Sequence, residues 1–450
     1  MEYRVALISL NRLRDPYPVY PLATAYLKPY LEEHLPVCKV DVIDLNMFSD
    51  DELEEHIRTT KPHFICLSIR NVDGANSLDR RAFFGAYKTI VDKVKGCSDS
   101  PIIIGGAGYS IFPEQFVEEL GADYGIEGEG EAALCELLKA LINKTSTADI
   151  QRVTHRGGAR NKTCHHILSS QVEYEPKLVE YYWKQSGMLN IQTKRGCPYN
   201  CIYCTYPQID GRAVRTMSVE KIVETIEKAK RDFGANYWFF TDSVFNIKNE
   251  YNAELCEELV KRDMGIKWGA YFSPSNITEE QMSLYQRSGL THIEFGTESF
   301  CDKTLEAYGK RFTFEDVLSA SALALKHNVY YSHFLILAGY GESREQLHTT
   351  IENSRQLRHT VIFPYVGMRI YPGTELYKRA LEEDVVDEST DMLMPQYYLQ
   401  RDFDLDETKQ LAEATGKAWI FPDSPPSEMM TMLKVKRNKK GPLWEYLRKP

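Results

Sequence analysis

The chain has 450 residues, of which 43% are hydrophobic and 26% are charged. This composition excludes a disordered or fibrous protein, and the length predicts two or three domains. The formal net charge is −10, so nucleic acid is not an expected partner. No apolar run approaches the ~18 residues of a membrane span. The N-terminus also lacks the apolar region and cleavage site of a signal peptide, so we expect a cytoplasmic protein.

The first 145 residues alternate between short apolar strands and amphipathic helices. This alternation predicts an α/β domain with a doubly wound, Rossmann-like parallel sheet. Such sheets bind ligands at the carboxyl ends of their strands. Strands are predicted over 3–9, 40–45, 63–69, 101–104 and 123–126, and a helix over 23–34. The loops that follow strands, and are therefore candidate ligand contacts, are 10–14, 70–76, 105–110 and 127–131.

Residues 146–185 show no clear period and are predicted to be a linker. A regular strand–helix pattern returns over residues 186–375. Its six βα units predict a partial (β/α)6 barrel of the TIM type, with its site at the C-terminal ends of the strands. Residues 376–450 are predicted to form a small, mostly helical segment. The six predicted strands are 189–195, 237–243, 266–274, 292–299, 330–339 and 365–371.

Three of the ten cysteines lie within eight residues. Cys197, Cys201 and Cys204 have the spacing C-x3-C-x2-C, which lets three thiolates face one point from a single loop, as an iron–sulfur cluster requires. Zinc prefers four ligands in two pairs, and the chain has no second C-x-x-C. A [4Fe-4S] cluster on three cysteines leaves one iron open to bind and activate a small molecule. The other seven cysteines are scattered, as in a reduced protein without disulfides.

This motif and the strands after it resemble the radical S-adenosylmethionine (radical SAM) superfamily over most of residues 185–375. In that family SAM chelates the open iron, and one electron cleaves its sulfonium to methionine and a 5′-deoxyadenosyl radical. An external one-electron donor such as flavodoxin or ferredoxin is therefore implied. At the strand end that binds the SAM amino group, Asp242 departs from the Gly-Gly-Glu motif that is common in the family. The positions that the resemblance assigns to SAM are Tyr203, Thr241, Asp242, Ser243, Glu298, Ser299 and Gly339.

A doubly wound domain before such a barrel resembles the cobalamin-binding members of the superfamily. A plain dinucleotide site is not expected, because G-x-G-x-x-G is missing after the first strand. The Asp-x-His-x-x-Gly motif of many cobalamin proteins is also missing, so we expect a cobalt without a histidine ligand and with Arg70 near its lower face. The alternative is that the glycines form ordinary turns. The positions assigned to cobalamin are Leu10, Asn11, Ser68, Ile69, Arg70, Asn71, Gly105, Gly106, Ala107, Gly108, Glu127, Gly128, Glu129 and Gly130.

The resemblance implies a cobalamin-dependent methyltransferase that acts on an unactivated carbon. One SAM would methylate cob(I)alamin, and a second would give the radical that takes a hydrogen atom from the substrate. The same cofactors serve non-methylating rearrangement, cyclisation or ring contraction, and this alternative stays open. A third hypothesis, an iron–sulfur electron-transfer protein, needs a fourth thiolate from Cys164, Cys256 or Cys301. The substrate is expected to be a small molecule of unknown class, with candidate contacts at Tyr206, Tyr331, His333 and Arg369.

Overall fold

The computed structural model describes residues 2–158, 172–422 and 441–448. Parts of the predicted linker, of the C-terminal segment and of the cysteine set, including Cys164, therefore lie outside the described residues. Contacts within the chain divide it into two compact units, which we call the N-terminal unit and the barrel unit. The N-terminal unit comprises Met1–Gly74, Arg81–Tyr182 and Gln208–Gly211, and the barrel unit Ala75–Arg80, Trp183–Pro207 and Arg212–Pro450.

A six-stranded sheet forms the N-terminal unit, with the order β2-β1-β3-β4-β5-β6. All neighbouring strands are parallel except β5 and β6. The strands are apolar runs buried between helices on both faces, as parallel sheets require. The predicted doubly wound sheet is confirmed. Its strands are β1 (Tyr3–Ser9), β2 (Cys38–Asp44), β3 (Phe64–Ser68), β4 (Ile102–Gly105), β5 (Tyr124–Ile126) and β6 (Val153–His155), and the helices are α1 (Leu22–His34), α2 (Asp50–Thr60), α3 (Phe84–Cys97), α4 (Pro113–Leu120), α5 (Glu131–Asn143) and α6 (Pro176–Ser186).

The stretch predicted as a linker contributes two elements of regular structure. Strand β6 closes one edge of the sheet, and α6 begins after the residues outside the described range. The buried Tyr182 of α6 donates its hydroxyl hydrogen to Asp44 at the end of β2 and accepts one from Asn46 at 3.1 Å. A tyrosine buried with a satisfied hydroxyl fixes the helix against the domain.

A seven-stranded parallel sheet, with the order β17-β14-β13-β12-β11-β10-β7, forms the barrel unit. Six predicted strands are present, and β17 from the C-terminal segment is a seventh that was not predicted from the sequence. The last predicted strand begins and ends earlier than expected, because the chain turns at Gly367 into a separate antiparallel pair. The strands are β7 (Leu189–Ile191), β8 (Lys194–Arg195), β9 (Arg215–Thr216), β10 (Tyr237–Phe240), β11 (Lys267–Phe272), β12 (Leu290–Glu298), β13 (Tyr330–Leu337), β14 (Val361–Val366), β15 (Met368–Arg369), β16 (Tyr397–Tyr398) and β17 (Ala418–Trp419).

Helices connect these parallel strands, and several of them begin with a side-chain cap. Thr278, Thr313 and Ser343 each form a reciprocal capping box with the residue three positions later. No helix within the described ranges is both long enough and apolar enough to cross a membrane. The helices are α7 (Tyr206–Ile209), α8 (Val219–Phe233), α9 (Asn249–Lys261), α10 (Glu279–Arg287), α11 (Asp302–Ala307), α12 (Phe314–Lys326), α13 (Arg344–Asn353), α14 (Glu375–Glu382) and α15 (Leu405–Ala414), with short 3-10 turns at Tyr109–Ile111, Ser354–Gln356 and Leu443–Leu447.

The C-terminal turn at 443–447 packs beneath the barrel sheet, where its strands begin. Trp444 is 4% exposed, and its indole nitrogen donates a hydrogen bond of 3.1 Å to Glu294 inside the barrel. Tyr237, the first residue of β10, donates to Glu445 at 3.3 Å. Burial raises the pKa of Glu294 to about 7, and burial with the nearby Glu294 also raises the pKa of Glu445 to about 7. Two carboxyl groups with pKa values of about 7 therefore lie beneath the sheet.

We predict that Glu294→Gln stabilises the protein at high pH and not at low pH. The pKa of Glu294 is raised from 4.5 to about 7 in the folded state, so the contribution of this group to the free energy of unfolding falls as the pH rises from about 4.5 to about 7 and is then level. Glutamine keeps an acceptor for Trp444 and removes the proton-linked penalty, a gain of about 3 kcal/mol at pH 8. Urea unfolding at pH 8 and pH 4.5 measures this. An equal effect at both pH values would contradict the burial of a titrating carboxyl group.

Candidate active site

The three-cysteine loop is held by backbone hydrogen bonds from two other parts of the barrel unit. Ile202 donates its N–H to the carbonyl of Tyr308 at 3.2 Å, and its own carbonyl accepts from Leu376 at 2.8 Å. Within the loop, the N–H of Cys204 donates to the carbonyl of Cys201 at 3.2 Å. Both anchors lie between Cys201 and Cys204, so the structure fixes the backbone from which these two thiols project.

A buried ion pair lies directly before this loop. The ammonium of Lys194 is 2.8 Å from Asp242, and both side chains are nearly fully buried. Asp242 also accepts hydrogen bonds from the backbone N–H groups of Thr193 at 2.7 Å and Lys194 at 3.0 Å. The nitrogen of Lys194 lies 4.4 Å from the ring centroid of Phe245. The oxygens of Asp242 thus fix the strand before the loop, and the assignment of Asp242 to SAM stays a prediction.

A cavity of about 340 Å³ opens at the C-terminal ends of the barrel strands. All three cysteines of the motif line it, as do Tyr203, Ser243 and Glu298 of the predicted SAM set and Tyr206 of the predicted substrate set. The other residues of the wall were not predicted from the sequence and are mostly aromatic or small and polar. These are Tyr199, Val244, Tyr271, Phe272, Ser273, Ser275, Gly296, Gly309, Lys310, Arg311, Phe312 and Phe334.

The three thiols suit an iron–sulfur cluster. Burial raises the pKa of Cys197, and burial together with the nearby Cys201 raises the pKa of Cys204 to about 12. Thiols of this kind release protons when they bind iron, so cluster assembly is coupled to deprotonation. In the described part of the chain, no three His, Cys, Asp or Glu side chains are grouped as ligands of a metal ion. A cluster does not require such a group, since each thiolate binds a different iron.

The other predicted SAM positions are not among the residues that line this cavity. Thr241 donates its hydroxyl hydrogen to the carbonyl of Ile191 at 3.3 Å. Ser299 is fully buried, and its hydroxyl lies 2.7 Å from that of Thr350 in α13. The N–H of Gly339 donates to the hydroxyl of Tyr308 at 3.1 Å. These residues hold strands and helices together around the cavity, and their assignment to SAM stays a prediction.

Three of the four predicted substrate contacts are buried and bonded to other parts of the barrel unit, and their assignment to the substrate stays a prediction. Tyr331 is buried and donates to the carbonyl of Arg358. His333 is fully buried, with its ring nitrogens 2.7 Å from Thr297 and 3.3 Å from Ser321, and burial lowers its pKa to about 3. Arg369 donates to backbone carbonyls, among them those of Met392 at 3.0 Å and Gln396 at 3.2 Å. Tyr206, which is 41% exposed, is the fourth and lies at the cavity.

The predicted cobalamin positions lie at the carboxyl edge of the N-terminal sheet. Hydrogen bonds connect neighbouring strand ends, from Leu10 N–H to the Ser68 carbonyl at 3.1 Å and from Ile69 N–H to the Gly105 carbonyl at 2.8 Å. The carbonyl of Asn71 accepts from Tyr87 at 2.6 Å, and the hydroxyl of Ser110 accepts from the N–H of Gly128 at 2.8 Å. These hydrogen bonds order the loops that follow the strands, and the assignment of this edge to cobalamin stays a prediction. Among the positions assigned to cobalamin, Arg70 and Ala107 are exposed, and Leu10, Asn11, Ile69 and Gly108 are buried. The half-buried positions include Ser68, Asn71, Glu127, Gly128, Glu129 and Gly130.

The two units match two known families. Residues 191–353 match the model of the radical SAM superfamily, and residues 9–138 match the model of the B12 binding domain. The chain therefore carries a radical SAM domain and a B12-binding domain. It is a radical SAM enzyme related to cobalamin-dependent C-methyltransferases. The family resemblance and the fold class that the sequence indicated are confirmed.

Relatives of known activity include methylating and non-methylating enzymes. The chain is 24% identical to tryptophan 2-C-methyltransferase from Streptomyces laurentii, over 84% of this chain and 74% of the relative. It is 25% identical to the anaerobic magnesium-protoporphyrin IX monomethyl ester cyclase from Rubrivivax gelatinosus, over 74% of this chain and 62% of the relative.

Among solved structures, the radical SAM methyltransferase TsrM from Kitasatospora setae with tryptophan substrate and a SAM analog bound matches with a TM-score of 0.88. The identity is 21%, and the match covers 99% of this chain and 97% of that one. Another structure of TsrM has cobalamin and a [4Fe-4S] cluster bound. At this identity the likeness establishes the fold.

We predict that Gly106→Ala lowers cobalamin binding. Gly106 has a φ of +103°, and an added Cβ would lie 2.5 Å from the carbonyl oxygen of Ile69. The substitution must therefore shift the loop, at a cost of about 1–3 kcal/mol. Gly85→Ala is the matched control, because nothing lies within 4 Å of its Cβ position. Corrinoid retained per chain after gel filtration measures the effect. Equal retention by both variants would contradict a cobalamin site at this edge.

Proposed function

We propose that the protein is a cobalamin-dependent radical SAM methyltransferase that transfers a methyl group to carbon in a small molecule. The observation that carries this proposal is the presence, in one chain, of a B12-binding domain and a cavity lined by all three motif cysteines. Similarity to a C-methyltransferase over 84% of the chain supports it. A flavodoxin or ferredoxin is the proposed electron donor, because the chemistry consumes one electron that the chain itself does not supply.

Each group of cavity residues has a distinct proposed role. Cys197, Cys201 and Cys204 hold the cluster, and Tyr203 and Ser243 bind SAM beside it. When bound by these residues, the cluster and SAM would supply a 5′-deoxyadenosyl radical. Cobalamin, when bound by the B12-binding domain, would supply a transferable methyl group. The aromatic wall excludes water, which protects a reactive intermediate from quenching. Tyr206 is the proposed contact with the substrate.

The product ratio tests the proposal. Reduced holoenzyme is incubated with SAM and a panel of small molecules that begins with tryptophan, the substrate in the TsrM complex. A methyltransferase adds one CH₂ to the mass of the acceptor and releases S-adenosylhomocysteine in equal amount. Modified product with 5′-deoxyadenosine and without S-adenosylhomocysteine would overturn methyl transfer.

That second outcome would favour a non-methylating reaction on the same cofactors. The similarity to a cyclase, over 74% of the chain, is the observation that supports this candidate. An electron-transfer protein is less well supported. Neither Cys256 nor Cys301 lines the cavity beside the three motif cysteines, and Cys164 lies outside the described residues.

A further inference from the structure

Lys310 has a position in the cavity that no motif predicts. It follows Gly309, where φ is +76° and an added Cβ would lie 2.6 Å from the carbonyl oxygen of Asn200 in the cysteine loop. The chain after α11 is therefore pressed against that loop. The Lys310 side chain is 8% exposed, and its ammonium reaches into the cavity that the cysteines line.

The ammonium of Lys310 has polar and aromatic partners there. It donates to Glu298 at 3.0 Å and to the carbonyl of Gly296 at 3.3 Å, and it lies 5.6 Å from the ring centroid of Tyr203. Tyr203 donates its hydroxyl hydrogen to the same oxygen of Glu298 at 2.7 Å. Lys310 and Tyr203 thus converge on one carboxylate oxygen.

The ion pair with Glu298 keeps the ammonium of Lys310 charged in the cavity that the motif cysteines line. Burial alone would lower the pKa of this ammonium, but the ion pair with Glu298 at 3.0 Å raises it above its ordinary value. Lys310 therefore stays charged at neutral pH. A positive charge in a partly desolvated cavity interacts more strongly than one in water, because the effective dielectric constant is lower.

We propose that Lys310 is a positioning residue of the cofactor cavity, which holds Glu298 and Tyr203 in place and raises the reduction potential of the cluster bound by Cys197, Cys201 and Cys204. This inference rests on the proposed function. Net charge and hydrogen bonding near the sulfurs set the potentials of iron–sulfur clusters. A nearby cation favours the reduced, more negative cluster. Loss of the Lys310 charge makes the electron harder to add.

The test is an EPR-monitored redox titration of the reconstituted protein. Lys310→Met should lower the ratio of reduced to oxidised cluster at a fixed potential about tenfold, which is about 59 mV for one electron. Lys310→Arg keeps the charge and should restore most of the potential. Lys326→Met is the matched control. Lys326 forms an exposed ion pair of 2.9 Å with Glu279 on the outside of the same unit, and its loss should leave the potential unchanged.

The outcomes separate this inference from the proposed function. If wild-type protein binds no cluster, the proposed function fails. If wild-type protein binds a cluster and Lys310→Met has the wild-type potential, the inference on Lys310 is overturned and the proposed function stands. If the Lys310→Met variant does not bind a cluster, the reduction potential of the Glu298→Gln variant provides the test. Removal of that negative charge must raise the potential, and an unchanged or lower value would overturn the inference.

Discussion

Replacement of Cys201 by alanine is expected to abolish cluster binding and, with it, all cleavage of SAM. Cys201 lines the cavity with Cys197 and Cys204, and a cluster with one iron open for SAM already uses all three motif thiols. Two remaining thiolates cannot hold a [4Fe-4S] cluster with one iron reserved for SAM. Iron per chain after anaerobic reconstitution, together with 5′-deoxyadenosine formed under dithionite, measures the loss.

The control for this experiment is Cys97→Ser. Cys97 is also partly exposed, but it ends α3 in the N-terminal unit and does not line the cavity. The Cys97→Ser variant should therefore bind iron and cleave SAM like the wild-type protein. Full iron and SAM cleavage in Cys201→Ala would contradict the assignment of the cluster to the C-x3-C-x2-C loop.

The second large effect is expected from Lys194→Met. Lys194 is 2% exposed, and its ammonium bonds Asp242 at 2.8 Å and Asn252 at 2.9 Å. Methionine leaves the carboxylate of Asp242 buried without its counter-ion, which costs about 3–5 kcal/mol. Because this pair lies directly before the cysteine loop, the iron bound per chain after reconstitution should fall as well. Urea unfolding of the protein measures the change in stability.

A double variant separates the cost of the unpaired charge from the loss of side-chain packing. Asp242→Asn in the Lys194→Met background removes the buried charge and keeps an oxygen for the backbone N–H groups of residues 193 and 194. Its free energy of unfolding should recover in part. A Lys194→Met variant as stable as Lys326→Met, which loses an exposed ion pair, would show that the pair does not stabilise the loop.

Much of the fold could be predicted from local sequence patterns. The apolar run Tyr3–Ser9 is both the predicted and the observed first strand, because a strand buried on both faces leaves a short continuous apolar signal. Strand β17 has two residues, Ala418 and Trp419, and so carries no period to detect. It forms because it pairs with β14, a partner more than 50 residues earlier in the chain.

The site was only partly predictable, since residues of one strand alternate between two faces. Along β13, Phe334 lines the cavity, whereas Tyr331 and His333 face the surrounding helices. Both faces of a parallel strand are buried, so hydrophobicity alone does not tell which face points inward. Asp242 lies at the expected strand end, but its partner Lys194 comes from a different strand. Lys310 belongs to no motif and reaches the cavity through a turn at Gly309.

The most direct test of a cobalamin-dependent radical SAM enzyme is the cofactor content of one preparation. The protein is purified anaerobically with added hydroxocobalamin, reconstituted with iron and sulfide, and analysed for iron and for corrinoid by mass spectrometry. About four irons per chain together with stoichiometric cobalamin is the expected result. Four irons without cobalamin would contradict the account, because the N-terminal unit would then not serve the cofactor on which methyl transfer depends.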